Sequence, residues 1–246
     1  MKAIVVGGTS GMGRAIAQRM ASRGDQVFLA GIGEEELGRS AADLSVRSPH
    51  GHKASYAVLD MEKPEGFAVA LDAADAALGG FDTVIITAAL FGTQDALEND
   101  IEFTRRLVTV NYANTVVLCE HVRKRLLARG GGQLTVFSSV AGDRGRKPVA
   151  IYGSSKAGLS VYLEALDHKF HESGLNVLCV KPGFVKTSMT AGLKPPPFAG
   201  EPEQVAGLVL RAMEQKKPVL YAPKIWGLIM LIIRMLPRFV MRKIGF

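Results

Sequence analysis

Cysteine is scarce in this chain of 246 residues, which contains only Cys119 and Cys179. A disulfide-stapled scaffold is excluded, because such small secreted domains are dense in cysteine. Both cysteines lie in apolar runs, VVLCEHV and NVLCVKP, so we expect buried thiols in a protein of the reducing cytosol. In the opening MKAIVVGG the apolar run is too short, and the glycine comes too early, for a signal peptide. We therefore expect a cytoplasmic location.

Acidic residues are absent from the end of the chain. After Glu214 there are no carboxylate side chains but seven basic ones, Lys216, Lys217, Lys224, Arg234, Arg238, Arg242 and Lys243. The net charge of +7 belongs to residues 216–246, since residues 1–215 hold 23 basic residues against 23 acidic ones. A neutral body argues against a nucleic-acid groove across the domain. We expect no nucleic-acid partner.

The tail also lacks a hydrophobic run that could cross a bilayer. IWGLIMLII, from Ile225 to Ile233, is free of charge, but a helix continued to Pro237 spans only about 18 Å of a hydrocarbon core of about 30 Å. An apolar helix with Trp226, followed by basic residues, predicts a segment lying in an anionic membrane interface. A helix packed in an oligomer interface is the alternative, and both can hold. We divide the chain into a domain, 1–223, and a tail, 224–246.

Short β-branched runs alternate with longer stretches of helical character, the longest of them across residues 101–128. The strand-like runs are KAIVV, QVFLA, ASYAVL, TVIIT, QLTVF, NVLCV and PVLYA. Apolar strands separated by helices indicate a parallel sheet covered on both faces. With no internal repeat and no low-complexity linker, the pattern predicts a single doubly wound α/β domain of the Rossmann type. We expect about seven parallel strands with helices on both faces.

A glycine cluster, GGTSGMGRAIA, follows the first of these strands and opens a helix. Gly7, Gly11 and Gly13 would permit a tight turn, close approach of the backbone to a diphosphate, and close packing of the helix. A plain strand-to-helix turn is the alternative interpretation. The spacing and context favour dinucleotide binding.

A second group of residues, FSSVAG followed by IYGSSKAGL, carries side chains suited to proton transfer. Tyr152 and Lys156 are four residues apart and share one helix face, and an ammonium near a phenol favours the phenolate. This pair would make a general acid or base, although such a pair on its own is more often a surface pair. Ser139, at the end of a strand, could hydrogen-bond a carbonyl oxygen.

Together these residues resemble the short-chain dehydrogenase/reductase family, from Lys2 to about Ala222. The family's glycine motif and its active-site serine, tyrosine and lysine match the residues just named. Further matches are Asn111 in TVNYAN, Asp60 in VLD, and a Pro-Gly-x-x-x-Thr segment. The cofactor site implied by the resemblance consists of Gly7, Thr9, Ser10, Gly11, Met12, Gly13, Asp60, Met61, Ala88, Tyr152, Lys156, Pro182, Gly183, Val185 and Thr187.

The resemblance implies hydride transfer between NADH or NADPH and a carbonyl or alcohol. Tyr152 would exchange the proton, and Ser139 would hold the oxygen. Lys156 would lower the pKa of the tyrosine and contact the nicotinamide ribose, while Asn111 would support a water relay. The protein supplies positioning and charge for chemistry that the cofactor carries. A homo-oligomer is also common in this family.

The chain departs from the family pattern at two places. Ile86, Thr87, Ala88 and Ala89 stand where the family usually has Asn-Asn-Ala-Gly, so the usual asparagine contact is missing. At the end of the second strand, Ile32 stands where a residue selecting NADH or NADPH is expected, and the choice stays open. The five histidines show no metal-ligand spacing, so we infer no metal site.

The loop after Ser139 carries Arg144, Arg146 and Lys147 near the expected mouth of the site. Such a cluster could bind a substrate phosphate, or it could be a solvated loop. Together with IYGSSKAGL, the loop AGDRGRK, the missing asparagine and the ending VLYAPKIW…MLPRFVMRKIGF resemble the decaprenylphosphoryl-2-keto-pentose reductases. This closer resemblance implies a 2-keto sugar linked through phosphate to a polyprenyl chain, NADH as reductant, and a flavin oxidase as partner.

Two other functions remain open from the sequence. The substrate could be another lipid-like carbonyl, such as a 3-oxoacyl thioester or a steroid-like ketone. The chain could also be a nucleotide-binding membrane scaffold without catalysis. A scaffold would not need the set of Ser139, Tyr152, Lys156 and Asn111, so an enzyme is favoured.

Overall fold

Seven parallel strands form one sheet in the computed structural model, which describes residues 1–244. The strands are β1 (Lys2–Val6), β2 (Gln26–Gly31), β3 (Ser55–Val58), β4 (Thr83–Ile86), β5 (Gly132–Phe137), β6 (Leu175–Pro182) and β7 (Val219–Ala222). Their order is β3-β2-β1-β4-β5-β6-β7, and every neighbouring pair is parallel. The prediction of a doubly wound sheet of about seven strands is confirmed.

Helices cover both faces of this sheet. They are α1 (Gly11–Ser22), α2 (Glu34–Arg47), α3 (Phe67–Leu78), α4 (Gln94–Asn99), α5 (Ile101–Val108), α6 (Thr115–Ala128), α7 (Ala150–Phe170), α8 (Pro202–Glu214), α9 (Ile225–Met235) and α10 (Arg238–Lys243). The strand order reverses between β1 and β4, so a crevice opens beyond the carboxyl ends of these strands, where doubly wound proteins bind their ligands.

The side chains of β1 divide between two cores, as the period of two in a strand requires. Ile4 and Val6 belong to the core beneath α3, α6 and α7. Ala3 and Val5 belong to the core beneath α1, α2 and α8. Because both faces are covered, β1 is apolar throughout, which explains the continuous run KAIVV.

The long helix expected across residues 101–128 is interrupted. A π-helical segment, Thr109–Asn114, separates α5 from α6. It holds Asn111, whose side chain bonds to the backbone of Leu90 rather than facing solvent. Such π segments often occur at functional sites. The short helix α4, which begins where the Thr93 hydroxyl accepts a bond from the Ala96 N–H, was not predicted, because six residues show too little periodicity.

The tail, expected as a separate segment, is packed against the domain along one side. Met230 and Ile233 of α9 form a small core with Val140, which lies directly after Ser139. The division at residue 224 stays a prediction, although the inner side of α9 packs against the domain. Residues 245 and 246 of the predicted tail lie outside the described residues. No helix within residues 1–244 is both long enough and apolar enough to cross a bilayer.

Replacing Gly13 by alanine should destabilise the fold. The added Cβ would lie 2.2 Å from the carbonyl oxygen of Gly7, a backbone atom that cannot move aside cheaply. We expect a loss of about 2 kcal/mol or more in the free energy of unfolding, measured by urea denaturation. Gly66→Ala is the matched control, because its Cβ would meet open space at an ordinary φ of −84°. Equal stability of the two variants would contradict the close packing of the loop.

Candidate active site

A cavity of about 290 Å³ lies at the carboxyl edge of the sheet. Residues from the end of β5, from α7 and from the loop after β6 line it together. The predicted site residues among its lining are Met12, Ser139, Arg146, Tyr152, Lys156, Pro182, Gly183, Val185 and Thr187. The fold therefore brings the serine, tyrosine and lysine, separate in the sequence, to one place.

The glycine loop, which carries Gly7, Gly11 and Gly13 after β1, is held by Thr87. This residue stands at the first place where the chain departs from the family pattern. The hydroxyl of Thr87, at the end of β4, donates to the carbonyl oxygens of Val6 at 2.9 Å and Gly7 at 3.2 Å. Gly7 has a φ of +85°, a conformation that other residues rarely adopt. A Cβ on Gly13 would lie 2.5 Å from the Thr87 hydroxyl oxygen. Thr87 thus ties β4 to the loop where an asparagine was expected.

The N-terminus of α1 faces this loop and is open to an anion. Ser10, in the N-cap position, has extended backbone and makes no side-chain cap bond, and the first turn holds no acidic residue. The first N–H groups of a helix lack partners within the helix, and its positive dipole favours negative charge. These features fit the diphosphate of a dinucleotide.

Tyr152 lies in the first turn of α7, with its ring against Phe91. The ring centroids are 5.2 Å apart and the rings nearly perpendicular, at 82°, which is a favourable aromatic arrangement. Burial raises the pKa of Tyr152 to about 12, although the neighbouring Ser139 hydroxyl acts in the opposite direction. The phenol therefore holds its proton at neutral pH, as a proton donor must. The Ser139 hydroxyl oxygen accepts the N–H of Ala141 at 3.1 Å.

Lys156 is almost fully buried, with 2% of its surface exposed. Its Nζ donates to the carbonyl oxygen of Phe137 at 2.9 Å, and burial lowers its pKa to about 8. The ammonium lies 5.9 Å from the centroid of the Tyr152 ring. Lys156 was expected to lower the pKa of Tyr152. In this structure that pKa is raised instead, because the phenol is buried. Two of the three N–H donors of Lys156 remain for a ligand.

Asn111 is fully buried and acts as a clamp on the segment after β4. Its Nδ2 donates to the carbonyl oxygen of Leu90, and its Oδ1 accepts the Leu90 N–H, both at 2.8 Å. Leu90 precedes Phe91, which packs on Tyr152. The amide of Asn111, which was expected to support a water relay, therefore also positions the ring of Tyr152.

Several predicted cofactor residues lie outside the cavity. They are Gly7, Thr9, Ser10, Gly11, Gly13, Asp60, Met61 and Ala88. Asp60 follows β3, and its carboxylate accepts the N–H of Glu62 at 2.9 Å. The carbonyl oxygen of Met61 accepts Nδ2 of Asn114 at 2.7 Å. Ile32 is exposed in the turn after β2. These positions suit the part of a dinucleotide that extends away from the reacting carbonyl.

The three basic residues predicted to bind a substrate phosphate separate in the structure. Arg144 donates to the carbonyl oxygen of Leu236 at 2.8 Å, and Lys147 donates to that of Arg242 at 2.7 Å. Both side chains therefore tether the tail, because the backbone after α9 presents carbonyl oxygens to this loop. Only Arg146 lines the cavity.

The sequence did not reveal several residues that line the same cavity, namely Phe91, Met189, Leu193 and Trp226. Trp226 comes from the tail and lies against Gly183, where an added Cβ would be only 2.1 Å from the indole nitrogen. The one signal that could have pointed to it was its being the only tryptophan in the chain.

A glycine loop at the switch point of a parallel sheet, beside a buried tyrosine and lysine, defines a class: dinucleotide-dependent oxidoreductases. Comparison with known proteins identifies the family within this class, since residues 1–197 match the family described as short chain dehydrogenase. An uncharacterised oxidoreductase of Mycobacterium tuberculosis is 31% identical over 98% of this chain and 95% of its own length. The 3-oxoacyl-[acyl-carrier-protein] reductase FabG of Chlamydia muridarum is 31% identical over 78% of this chain and 76% of its own.

The chain therefore belongs to the short-chain dehydrogenase/reductase family, and it is an oxidoreductase that uses NADH or NADPH. Its fold agrees with solved structures. A crystal structure of an actinorhodin polyketide ketoreductase variant with NADPH has a TM-score of 0.79 at 24% identity, covering 89% of this chain and 94% of its own.

Lys156→Met should change how stability depends on pH. Between a folded pKa of about 8 and the ordinary 10.5, the unfolded lysine binds a proton that the folded one does not, so rising pH favours the folded state. We expect the free energy of unfolding of the wild type, minus that of the variant, to rise by about 3 kcal/mol over this range. The difference cancels the titration of groups remote from Lys156 that both proteins share. Urea denaturation at pH 7, 8, 9 and 10 measures it, and a constant difference would contradict a buried ammonium.

Proposed function

We propose that the protein reduces a carbonyl to a secondary alcohol with NADH or NADPH. The observation that carries this proposal is the meeting of Ser139, Tyr152 and Lys156 on one cavity that extends to Met12 and Thr187. A hydrogen-bond donor, a protonated phenol and a buried cation are the groups that carbonyl reduction requires. A scaffold without catalysis would not need to bury a lysine there.

The residues present fit the cofactor. The diphosphate would lie at the N-terminus of α1 against Gly7, Thr9, Ser10, Gly11, Met12 and Gly13. The adenine side would meet Asp60, Met61 and Ala88, and the nicotinamide side would meet Pro182, Gly183, Val185 and Thr187. When bound, the cofactor supplies the hydride that the carbonyl carbon accepts.

Tyr152 donates its proton to the carbonyl oxygen as that oxygen gains charge. Ser139 donates a second hydrogen bond to the same oxygen. Lys156 keeps one N–H on Phe137 and has two for the ribose hydroxyls, and its charge stabilises the phenolate left after proton transfer. Asn111 holds the Leu90 segment and supports the water relay that returns a proton to Tyr152.

For the substrate, we propose a polyprenylphosphoryl 2-keto-pentose, received from a flavin oxidase that forms the ketone. The apolar lining of the cavity, with Phe91, Leu193 and Trp226 beside the cation Arg146, supports a lipid-linked anion. A 3-oxoacyl thioester is the second candidate, favoured by the similarity to the FabG reductase. A steroid-like ketone, which carries no anion, would leave Arg146 without a role. Turnover of these three carbonyls with NADH and with NADPH, in detergent, separates them.

Tyr152→Phe should abolish turnover while leaving cofactor binding nearly intact, because the hydroxyl serves proton transfer. We expect kcat to fall about 100-fold or more, measured with any carbonyl that the wild type reduces, and the Kd for NADH or NADPH to stay within about twofold. Tyr162→Phe, on the same helix but with its hydroxyl bonded to Glu120 outside the cavity, is the control. Retention of a tenth of the wild-type kcat by Tyr152→Phe would argue against the assignment.

We further propose that the outer side of α9 lies on an anionic membrane surface, on its cytoplasmic face. Leu228, Leu231, Ile232 and Met235 are 57%, 57%, 58% and 78% exposed, and their spacing places them in one stripe. The tail around them has basic residues and no acidic ones, which suits anionic lipid headgroups. The inner side of the same helix packs on the domain. A contact between copies of the chain is the alternative use of this stripe.

Replacing Leu228, Leu231 and Ile232 by serine should abolish membrane binding without opening the cavity, because all three side chains point outward. Flotation with vesicles of phosphatidylglycerol and phosphatidylcholine should carry the wild type, and high salt should weaken that binding. The control replaces Val46, Val69 and Ile101, which are at least as exposed but lie elsewhere. If the wild type does not float, and the triple serine variant instead splits a dimer in light scattering, the stripe is an oligomer interface.

A further inference from the structure

Trp226 lies in the first turn of α9, yet its indole belongs to the cavity of the reductase site. It covers Gly183, leaving no room for a side chain there. The tail therefore forms part of the wall around the reacting groups, in addition to its exposed outer stripe.

Two buried donors on this wall have no hydrogen-bond partner within residues 1–244. They are Nε1 of Trp226 and Nε of Arg146, and both residues line the cavity. Buried N–H groups are nearly always paired in native proteins, so unpaired ones call for an explanation. Neither an indole nor a guanidinium can accept a hydrogen bond, so a partner for both must be an acceptor.

The charges around the cavity favour an anionic acceptor. Its lining includes Arg146 and Lys156 but no aspartate or glutamate. Asp143, the nearest carboxylate in sequence, is engaged by Lys181 at 2.7 Å and by the Tyr221 hydroxyl at 2.6 Å. It therefore does not neutralise Arg146 by a direct ion pair. Burial lowers the pKa of Arg146 from its ordinary value, although the charge of Asp143 acts in the opposite direction, so desolvation of this cation is the larger effect.

We infer that Trp226 and Arg146 form a subsite that binds a phosphate group of the substrate, in the same cavity as Ser139 and Tyr152. A phosphate offers several strong acceptor oxygens, and guanidinium pairs with it through charge-assisted bonds. The subsite adds recognition of a phosphate group to the proposed function, and it rests on that function for the identity of the carbonyl. Phosphate binding itself can be measured without turnover.

The subsite carries its own reporter, because Trp226 is the only tryptophan of the chain. Its fluorescence is titrated with citronellyl phosphate, with citronellol and with inorganic phosphate. Citronellyl phosphate should give a saturable change at a Kd at least about tenfold below that of citronellol, since a charge-assisted bond is lost in the alcohol. Inorganic phosphate shows whether the anion alone is enough or the prenyl chain is also needed. Equal affinity for citronellyl phosphate and citronellol would overturn the subsite.

Variants separate the two donors from general charge effects. Arg146→Gln should weaken citronellyl phosphate about tenfold, whereas Lys53→Gln, which removes the same charge from an exposed position outside the cavity, should leave the Kd within about twofold. Arg146→Lys keeps the charge, and should bind with intermediate affinity. Equal binding by Arg146→Gln and Lys53→Gln would overturn the role of Arg146.

Trp226→Phe preserves a ring against Gly183 but removes the N–H. Its binding of citronellyl phosphate is measured by calorimetry, with oxidised cofactor present to occupy the N-terminus of α1. We expect a Kd several-fold weaker than the wild type, with citronellol unchanged. Wild-type affinity for the phosphate in this variant would remove Trp226 from the subsite. Phosphate binding without turnover of any ketone would leave the subsite standing and refute the proposed reduction.

Discussion

The active-site geometry depends on the burial of Lys156 against the end of β5. Its ammonium donates to the Phe137 carbonyl, while its own carbonyl oxygen accepts the hydroxyls of Ser138 and Ser160. The helix α7 is thereby joined to the strand end from which Ser139 projects. Burying an ammonium is unfavourable, as its pKa of about 8 indicates. That cost is tolerated because the same contacts align Ser139 and Tyr152 on one cavity.

The cofactor side of the site is organised by close backbone packing. A Cβ on Gly13 would collide with the backbone of Gly7, and a Cβ on Gly7 would collide with Thr87 and the backbone of Ala88. Thr87 replaces the family's asparagine and bonds to the carbonyl oxygens of the loop. At this departure from the family pattern, a threonine hydroxyl therefore ties the end of β4 to the loop. An exposed helix N-terminus beside it completes an anion site.

The tail connects the surface of the molecule with its reaction cavity. One side of α9 contributes Trp226 to the cavity and packs Met230 and Ile233 against Val140, next to Ser139. Arg144 and Lys147, predicted from the sequence to bind a substrate phosphate, instead hold this tail by its carbonyl oxygens. A contact on the outer stripe would thus act on a helix that also lines the cavity.

The sequence by itself determined the class of fold and the family, because those features depend on local patterns. Apolar runs of strand length predicted all seven strands, and the spacing of the glycines and of Tyr152 and Lys156 identified the family. Short or interrupted helices escaped prediction, since α4 is brief and the π segment depends on Asn111 reaching Leu90.

Only the tertiary structure decided which basic residue faces the cavity and that Trp226 belongs to it. Arg144, Arg146 and Lys147 are equivalent in a sequence, but they differ once the tail presents carbonyl oxygens to two of them. The pKa of Tyr152 likewise depends on burial of the phenol, which only the packed structure creates. Contacts between segments that are distant in the chain, and the desolvation they cause, have no local signature in the order of the amino acids.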